Sequence, residues 1–164
     1  MLACLDVDYR PELTVAACVL FRDWPAGSEA SLLVDHGPPA APYEPGHFYR
    51  RELPHLLRVL AMVQEPLEAI IVDGYVWLGE DKPGLGAHLY ESLNRAVPII
   101  GVAKTAYVTT GPALPVLRGQ SLRPLFVTSV GMDTATAAQC VRRMHGASRI
   151  PTMLNRVDRL CRES

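Results

Sequence analysis

The sequence predicts an α/β domain. Its mixed sheet opens as an antiparallel three-strand meander and continues as parallel strands with flanking helices. Three observations carry this. The first 35 residues hold three apolar runs separated by short turn clusters, the pattern of a meander. After them, apolar runs of strand length alternate with stretches of helical periodicity, the order that a parallel crossover requires. One of those runs, Glu68-Ala-Ile-Ile-Val-Asp-Gly74, passes abruptly from four apolar residues to a charge and a glycine. A strand covered on both faces reads this way where it reaches the edge of its sheet.

Leu2 to Tyr9 is the first strand, with Leu5 and Val7 alternating with Asp6 and Asp8, and Pro11 ends it. Asp6 then lies mid-strand among apolar neighbours, where a charge is costly unless it is paired or binds a metal. Leu13 to Arg22 is the second strand, closed by the turn cluster Asp23-Trp-Pro-Ala-Gly27, and Ser31 to Asp35 is the third. Residues 37–46, Gly-Pro-Pro-Ala-Ala-Pro-Tyr-Glu-Pro-Gly, form a loop stiffened by four prolines. Tyr43 is held between two of them. It is either the packed aromatic of a proline-rich linker or a ring that stacks on a base or wedges into a duplex. From His47 the residues Phe48, Leu53, Leu56, Leu57, Leu60 and Ala61 recur at helical steps, with Pro54 expected in the first turn. Glu52, near the start, is an ordinary first-turn acid favoured by the helix dipole or a metal ligand.

Asp73 falls at the carboxyl end of its strand, where ligands gather in open α/β sheets. Gly74 lets backbone pass close to whatever Asp73 holds, although Asp-Gly is also a common turn pair. Residues 75–81 read as a loop, and Leu85, Leu89 and Leu93 place a helix that ends near Arg95. Val97 to Ala103 is the next strand, closed by Lys104. If the two strands are adjacent, Lys104 neighbours Asp73, either to balance its charge or to stabilise a phosphate in its transition state. Leu114 to Leu117 and Leu125 to Val130 read as extended pieces that could pair as a hairpin around Arg118-Gly-Gln-Ser. Pro115 makes the first of them an edge strand or no strand. Asp133 to Met144 and Pro151 to Arg162 are the last helices, the second carrying Asp158 between Arg156 and Arg159.

At 164 residues, 49% hydrophobic and 20% charged, this is an ordinary globular composition, expected to form a single domain over 1–164. No apolar run approaches the roughly 20 residues of a membrane span. No basic segment precedes the apolar start, so no signal peptide is expected. The four cysteines, Cys4, Cys18, Cys140 and Cys161, show no Cys-x-x-Cys spacing. That argues against zinc and for free thiols in a reducing cytoplasm. Charge is unevenly placed. Residues 1–116 carry 8 Lys and Arg against 14 acids, and residues 117–164 carry 8 Arg against 3 acids. The split suits a metal-holding face beside a phosphate-binding face, or simply solvated helix surfaces.

Acids on the first and fourth strands, the meander and the alternation that follows together resemble the ribonuclease H-like fold. Within it the sequence resembles the endonuclease V family, which nicks nucleic acid near deaminated adenine. The resemblance runs from about Leu2 to Leu160. Its signatures are Pro42-Tyr43-Glu44-Pro45-Gly46 leading without gaps to Arg51-Glu52; Val72-Asp73-Gly74 with Gly84 and His88; Pro98-Ile-Ile-Gly-Val-Ala-Lys104; and the pieces Pro124-Leu-Phe-Val and Ile150-Pro-Thr. The resemblance implies a magnesium-dependent endonuclease, with manganese as a substitute, that leaves 5′-phosphate and 3′-hydroxyl ends. It implies Asp6, Glu52, Asp73 and Asp158 as metal ligands and Lys104 as the site's lysine. It also implies Tyr43 as the wedge, with Gly46 and Gly74 lining a pocket for a flipped base. Such residue types fit, because magnesium takes carboxylate, water and phosphate oxygens. The expected partner is DNA or RNA and no membrane, with the protein acting as a cytoplasmic monomer.

The chain departs from the family pattern after Asp-Gly. Where the family continues with glycine and His-Pro-Arg-Arg, this chain reads Tyr75-Val76-Trp77-Leu78-Gly79-Glu80-Asp81-Lys82. A histidine is replaced by Gly79, an arginine by Asp81 and a pocket glycine by Val76. The sequence also opens directly on its first strand, and Gly131-Met132 stands where the family has Gly-His. These changes bear on recognition of the base more than on the acids. Two alternatives therefore stand beside the lesion nuclease: a nucleic-acid-binding module of the same fold that cuts weakly or not at all, and a nuclease selective for branched structures.

Overall fold

The computed structural model describes residues 1–107 and 111–164. β1 (Leu2–Tyr9), β2 (Thr14–Phe21) and β3 (Ser31–Gly37) come first, followed by α1 (Tyr49–Leu60) and β4 (Ala69–Asp73). A small hairpin, β5 (Trp77–Gly79) and β6 (Lys82–Pro83), leads to α2 (Leu85–Ser92) and β7 (Ile99–Ala103). β8 (Leu114–Val116), β9 (Leu125–Val130), α3 (Thr134–Arg143) and α4 (Thr152–Glu163) complete the chain. Seven strands form one sheet in the order β3-β2-β1-β4-β7-β9-β8.

The meander is antiparallel as expected, and β1, β4 and β7 are mutually parallel at the centre. β9 runs antiparallel to both β7 and β8. The hairpin read from the sequence is thus real, and Pro115 sits on the sheet's edge strand, where proline is tolerated.

The continuous apolar runs are explained by helices on both faces. Cys4, Ile71, Ile100 and Val102 pack against Val141, Leu154 and Val157 on the α3–α4 side. Their alternate neighbours Ala3, Leu5, Ile70, Val72 and Ile99 pack with Leu56, Val59 and Leu89 on the α1–α2 side. α3 is capped by Asp133, whose carboxylate accepts from the Thr136 N–H at 3.0 Å. Among the described residues no helix is long and apolar enough to cross a membrane.

Three local readings change. α1 starts at Tyr49, so Pro54 lies in its second turn and leaves the Arg50 carbonyl without its intrahelical donor. α2 stops at Ser92 because Asn94 and Arg95 turn left-handed, at φ +53° and +60°, with the Arg95 N–H returning to the Tyr90 carbonyl at 2.9 Å. The expected loop after Asp73 contains the β5–β6 ladder, Trp77 opposite Pro83 and Gly79 opposite Lys82.

Gly101, in the middle of β7, decides how closely that loop can approach. A Cβ there would lie 2.6 Å from the Gly74 carbonyl oxygen and 2.8 Å from both Thr128 Oγ1 and Val76 N. Gly101→Ala is therefore expected to destabilise the fold by about 1–3 kcal/mol, the usual cost of overpacking. The check is the midpoint of urea unfolding; a midpoint equal to the parent's would show that this approach is not tight.

Candidate active site

Parallel pairing of β4 with β7 sets the first contact. Asp73 is the last residue of β4, Lys104 follows the end of β7, and the register places Asp73 opposite Val102. The Lys104 ammonium then donates to Asp73 Oδ2 at 2.6 Å. On the other side of β4, Leu5 of β1 lies opposite Val72, so Asp6 comes alongside Asp73. Asp6, Asp73 and Lys104 line one small cleft, backed by Val102, Leu125 and Leu154.

Crowding shows in the proton affinities. Burial pushes the Asp6 carboxyl up to about 6, helped by the charges of Asp73 and Asp158 and opposed by the Val7 N–H and Lys104. Glu52, in the first turn of α1, is pushed up to about 7 by burial and by Asp6 and Asp73, against the pull of Tyr9 and Arg51. The Arg51 guanidinium sits 4.5 Å from the centroid of the Tyr9 ring. The Tyr9 hydroxyl, beside Glu52, closes no hydrogen bond of good geometry. Burial works against the Lys104 ammonium, but its bond to Asp73 and the fields of Asp73, Asp158 and Asp6 outweigh that and raise its pKa. Asp158 on α4 accepts from Arg162 at 2.9 Å.

The four sequence-predicted acids thus share one electrostatic neighbourhood. Among the described residues, however, no three His, Cys, Asp or Glu side chains are gathered as a ready-made metal cage. Half-buried carboxylates that repel one another, with one lysine among them, are a donor set suited to a hard cation. Magnesium needs only one or two carboxylates, the remaining positions being water and phosphate oxygens.

A larger cavity of about 310 Å³ opens beside the cleft, and Asp73 lines it too, together with Tyr43, Gly46, Tyr49, Gly74 and Tyr107. Tyr43 is 59% exposed. Gly46 and Gly74 sit at φ +81° and +135°, where a side chain is strained, and a Cβ on either would meet nothing within 4 Å. Tyr43, Gly46 and Gly74 therefore line one cavity. Val76 does not line it. Its side chain turns inward and is fully buried in the α1–α2 core.

Several residues at the site escaped the sequence reading. Tyr49 stacks on His88 with centroids 3.5 Å apart. Tyr75 and Tyr107 stand at the cavity wall. Arg149 donates to the backbone carbonyls of Lys104, Arg123 and Pro124, tying the ends of β7 and β9 together. The arginine surplus after residue 117 was its only signal, and much of that surplus is internal to the fold. Arg118 is buried against the carbonyls of Met144, Gly146 and Ser148. Arg156, Arg159 and Arg162 pair with Glu29, Glu163 and Asp158. A broad phosphate-binding face built from all eight arginines is not what the structure contains.

Comparison with known proteins bears on this geometry. A family model described as Endonuclease V matches residues 1–115. Endonuclease V of Streptomyces avermitilis is 31% identical over 185 residues, spanning 98% of this chain and 78% of that protein. The Streptomyces coelicolor protein is 29% identical, spanning 96% and 76%. The crystal structure of the S. avermitilis enzyme superposes with a TM-score of 0.79 at 28% identity, covering 99% of this chain and 79% of that one. Endonuclease V of Ciona intestinalis, in complex with a 23mer DNA containing an inosine followed by a ribo-adenosine, shares the fold, with a TM-score of 0.84 at 19% identity and 99% and 83% coverage. The architecture is that ribonuclease H-like fold, and the chain belongs to the endonuclease V family.

Proposed function

We propose that this chain is a magnesium- or manganese-dependent endonuclease that cuts DNA or RNA near deaminated adenine, leaving 5′-phosphate and 3′-hydroxyl ends. One observation carries the reading: Asp73 lines both the acidic cleft and the Tyr43 cavity. A base held in the cavity brings its own backbone to the carboxylates. The Ciona relative, bound to inosine-containing DNA, supports the choice of base.

Each residue has a task in this reading. Asp6, Asp73, Glu52 and Asp158 would hold the cation, which when bound polarises the phosphodiester and activates water. The Lys104 ammonium, kept charged by its acidic neighbours, offsets phosphate charge at the cleft. Tyr43, exposed on a proline-stiffened loop, fills the gap that a displaced base leaves. Gly46 and Gly74 leave backbone accessible to that base. All of these groups come from one chain, so the reading needs no second subunit. Free cysteines suit a reducing cytoplasm.

A module that grips nucleic acid without cutting draws support from the open spacing of the acids among the described residues. The deciding assay incubates the protein and Mg²⁺ with labelled strands carrying one deoxyinosine or inosine, beside unmodified and branched controls. Selective cutting of the inosine strands is expected. Equal cutting of every strand would remove lesion selectivity, preference for the branched control would favour the structure-selective nuclease, and binding without cutting would favour the module.

Asp73→Ala should lower cutting by at least about 100-fold, the scale of a lost electrostatic catalytic group, while the fold survives in circular dichroism. Retained cutting would remove Asp73 from the chemistry. Tyr43→Ala should reduce the preference for inosine over adenine by about tenfold, as loss of one stacking ring does, with metal affinity by calorimetry unaltered. An unchanged preference would return Tyr43 to the linker.

Asp6 and Glu52 also set a pH dependence of stability. Their folded pKa values, about 6 and about 7, lie above those of the unfolded chain. Their contribution to stability is therefore full below the unfolded values, near pH 4, and is lost as pH rises through the folded ones. In metal-free protein, Asp6→Asn and Glu52→Gln should each flatten the fall in Tm between about pH 4 and 7. If both variants keep the parent's slope, burial and repulsion do not raise the two acids as described.

A further inference from the structure

We propose that a second cavity, walled by aromatic side chains, holds the nucleobase adjacent to the flipped one in the same strand. This rests on reading the Tyr43 cavity as a base site. The second cavity, of about 200 Å³, is lined by Tyr75, Trp77, Leu78, Tyr107 and Phe126, with Ala113 at its margin. Tyr75, Leu78 and Tyr107 line the first cavity as well. The two cavities are therefore neighbours across a shared aromatic partition, in which the Tyr75 and Tyr107 rings lie 6.0 Å apart and tilted by 60°.

The partition is held in place. Tyr75 Oη donates to the Thr105 carbonyl at 2.8 Å and accepts from the Tyr107 N–H at 3.0 Å. The Lys82 ammonium lies 5.8 Å from the Tyr107 ring centroid. Trp77 is fixed by its indole N–H, which donates to the Ser129 carbonyl at 3.1 Å. The polar atoms of Tyr75 and Trp77 are thereby engaged with backbone, and most of what remains for a ligand is apolar and aromatic. That lining suits a flat ring taken by stacking, with little demand on its hydrogen-bonding edge, which is how sequence-tolerant sites hold successive bases of a single strand.

Position supports the same occupant. Phe126 pairs with Ala103 at the end of β7, one residue before Lys104. The second cavity thus lies near the strand ends that carry Asp73 and Lys104, where the backbone of a bound strand would run. Trp77, Leu78 and the Lys82 that flanks Tyr107 belong to the segment that departs from the family's His-Pro-Arg-Arg pattern. In that segment Gly79 stands for the family's histidine and Asp81 for an arginine, beside the Trp77 and Leu78 that line the second cavity.

The test measures dissociation constants of the full chain for short single strands by fluorescence anisotropy, with EDTA present so that nothing is cut. One strand carries deoxyinosine between ordinary neighbours, two carry an abasic residue on its 5′ or its 3′ side, and one has adenine in place of deoxyinosine. Removal of one neighbouring base should weaken binding about tenfold. Ala113→Phe, which fills the cavity, should bind the intact strand about tenfold more weakly and show no further loss on the abasic strand. If deoxyinosine is preferred to adenine but neither abasic strand loses affinity, the second base site is overturned and the first stands. If deoxyinosine and adenine bind alike, the base-site reading falls and this inference falls with it.

Discussion

Like charges are crowded at one edge of a sheet that otherwise excludes charge. Asp6 and Asp73 end up side by side because β1 and β4 are parallel and in register, and Glu52 is brought to them by α1 packing over the same strands. Lys104, 2.6 Å from Asp73, compensates locally. It is not enough, since burial and mutual repulsion still raise Asp6 to about 6 and Glu52 to about 7. An acid that must be protonated or neutralised near physiological pH weakens the fold that carries it. On the proposed function, this is where a cation and a phosphate would be balanced together.

The backbone around this edge is built for close approach. Gly101 lets the Gly74 carbonyl and the Val76 N–H come within what would be collision distance of a side chain. Val76 N then donates to Thr128 Oγ1 at 2.8 Å, pinning the loop to β9. Gly86 makes the matching allowance on α2, where a Cβ would come within 2.6 Å of Val76 Cγ2. A larger residue at position 76 is thus absorbed into the core. The Tyr43 cavity is therefore not filled from position 76, and Leu78 and Lys82 of this segment line it instead.

How much of this was legible in the sequence depends on the range of each cause. Strands and helices with strong periodicity were readable because burial on both sheet faces selects their residues directly. Asp73 at a strand end and Lys104 at the next were readable because a crossover makes consecutive parallel strands neighbours. The β5–β6 ladder was not, since Pro83 and Glu80-Asp81 read as turn and the pairing involves so few residues. Tyr49, Tyr75 and Tyr107 were invisible as a group because only the fold brings a helix start and two strand ends around one cavity. The arginines misled for the opposite reason. Composition counts charge, but Arg118 and Arg149 use theirs on backbone carbonyls within the molecule.

The role of Arg149 ties the site to a part of the chain beyond the family model's match. The family model ends its match at residue 115, before β9, α3 and α4. Yet Lys104, inside the matched part, has its backbone held by Arg149, and the fields of both Lys104 and Asp6 include Asp158 from α4. Cys161 of α4 also donates its thiol to the Asp6 carbonyl at 3.2 Å. The acids on β1, β4 and α1 are therefore positioned from both sides, by strand register within the matched region and by hydrogen bonds from beyond it.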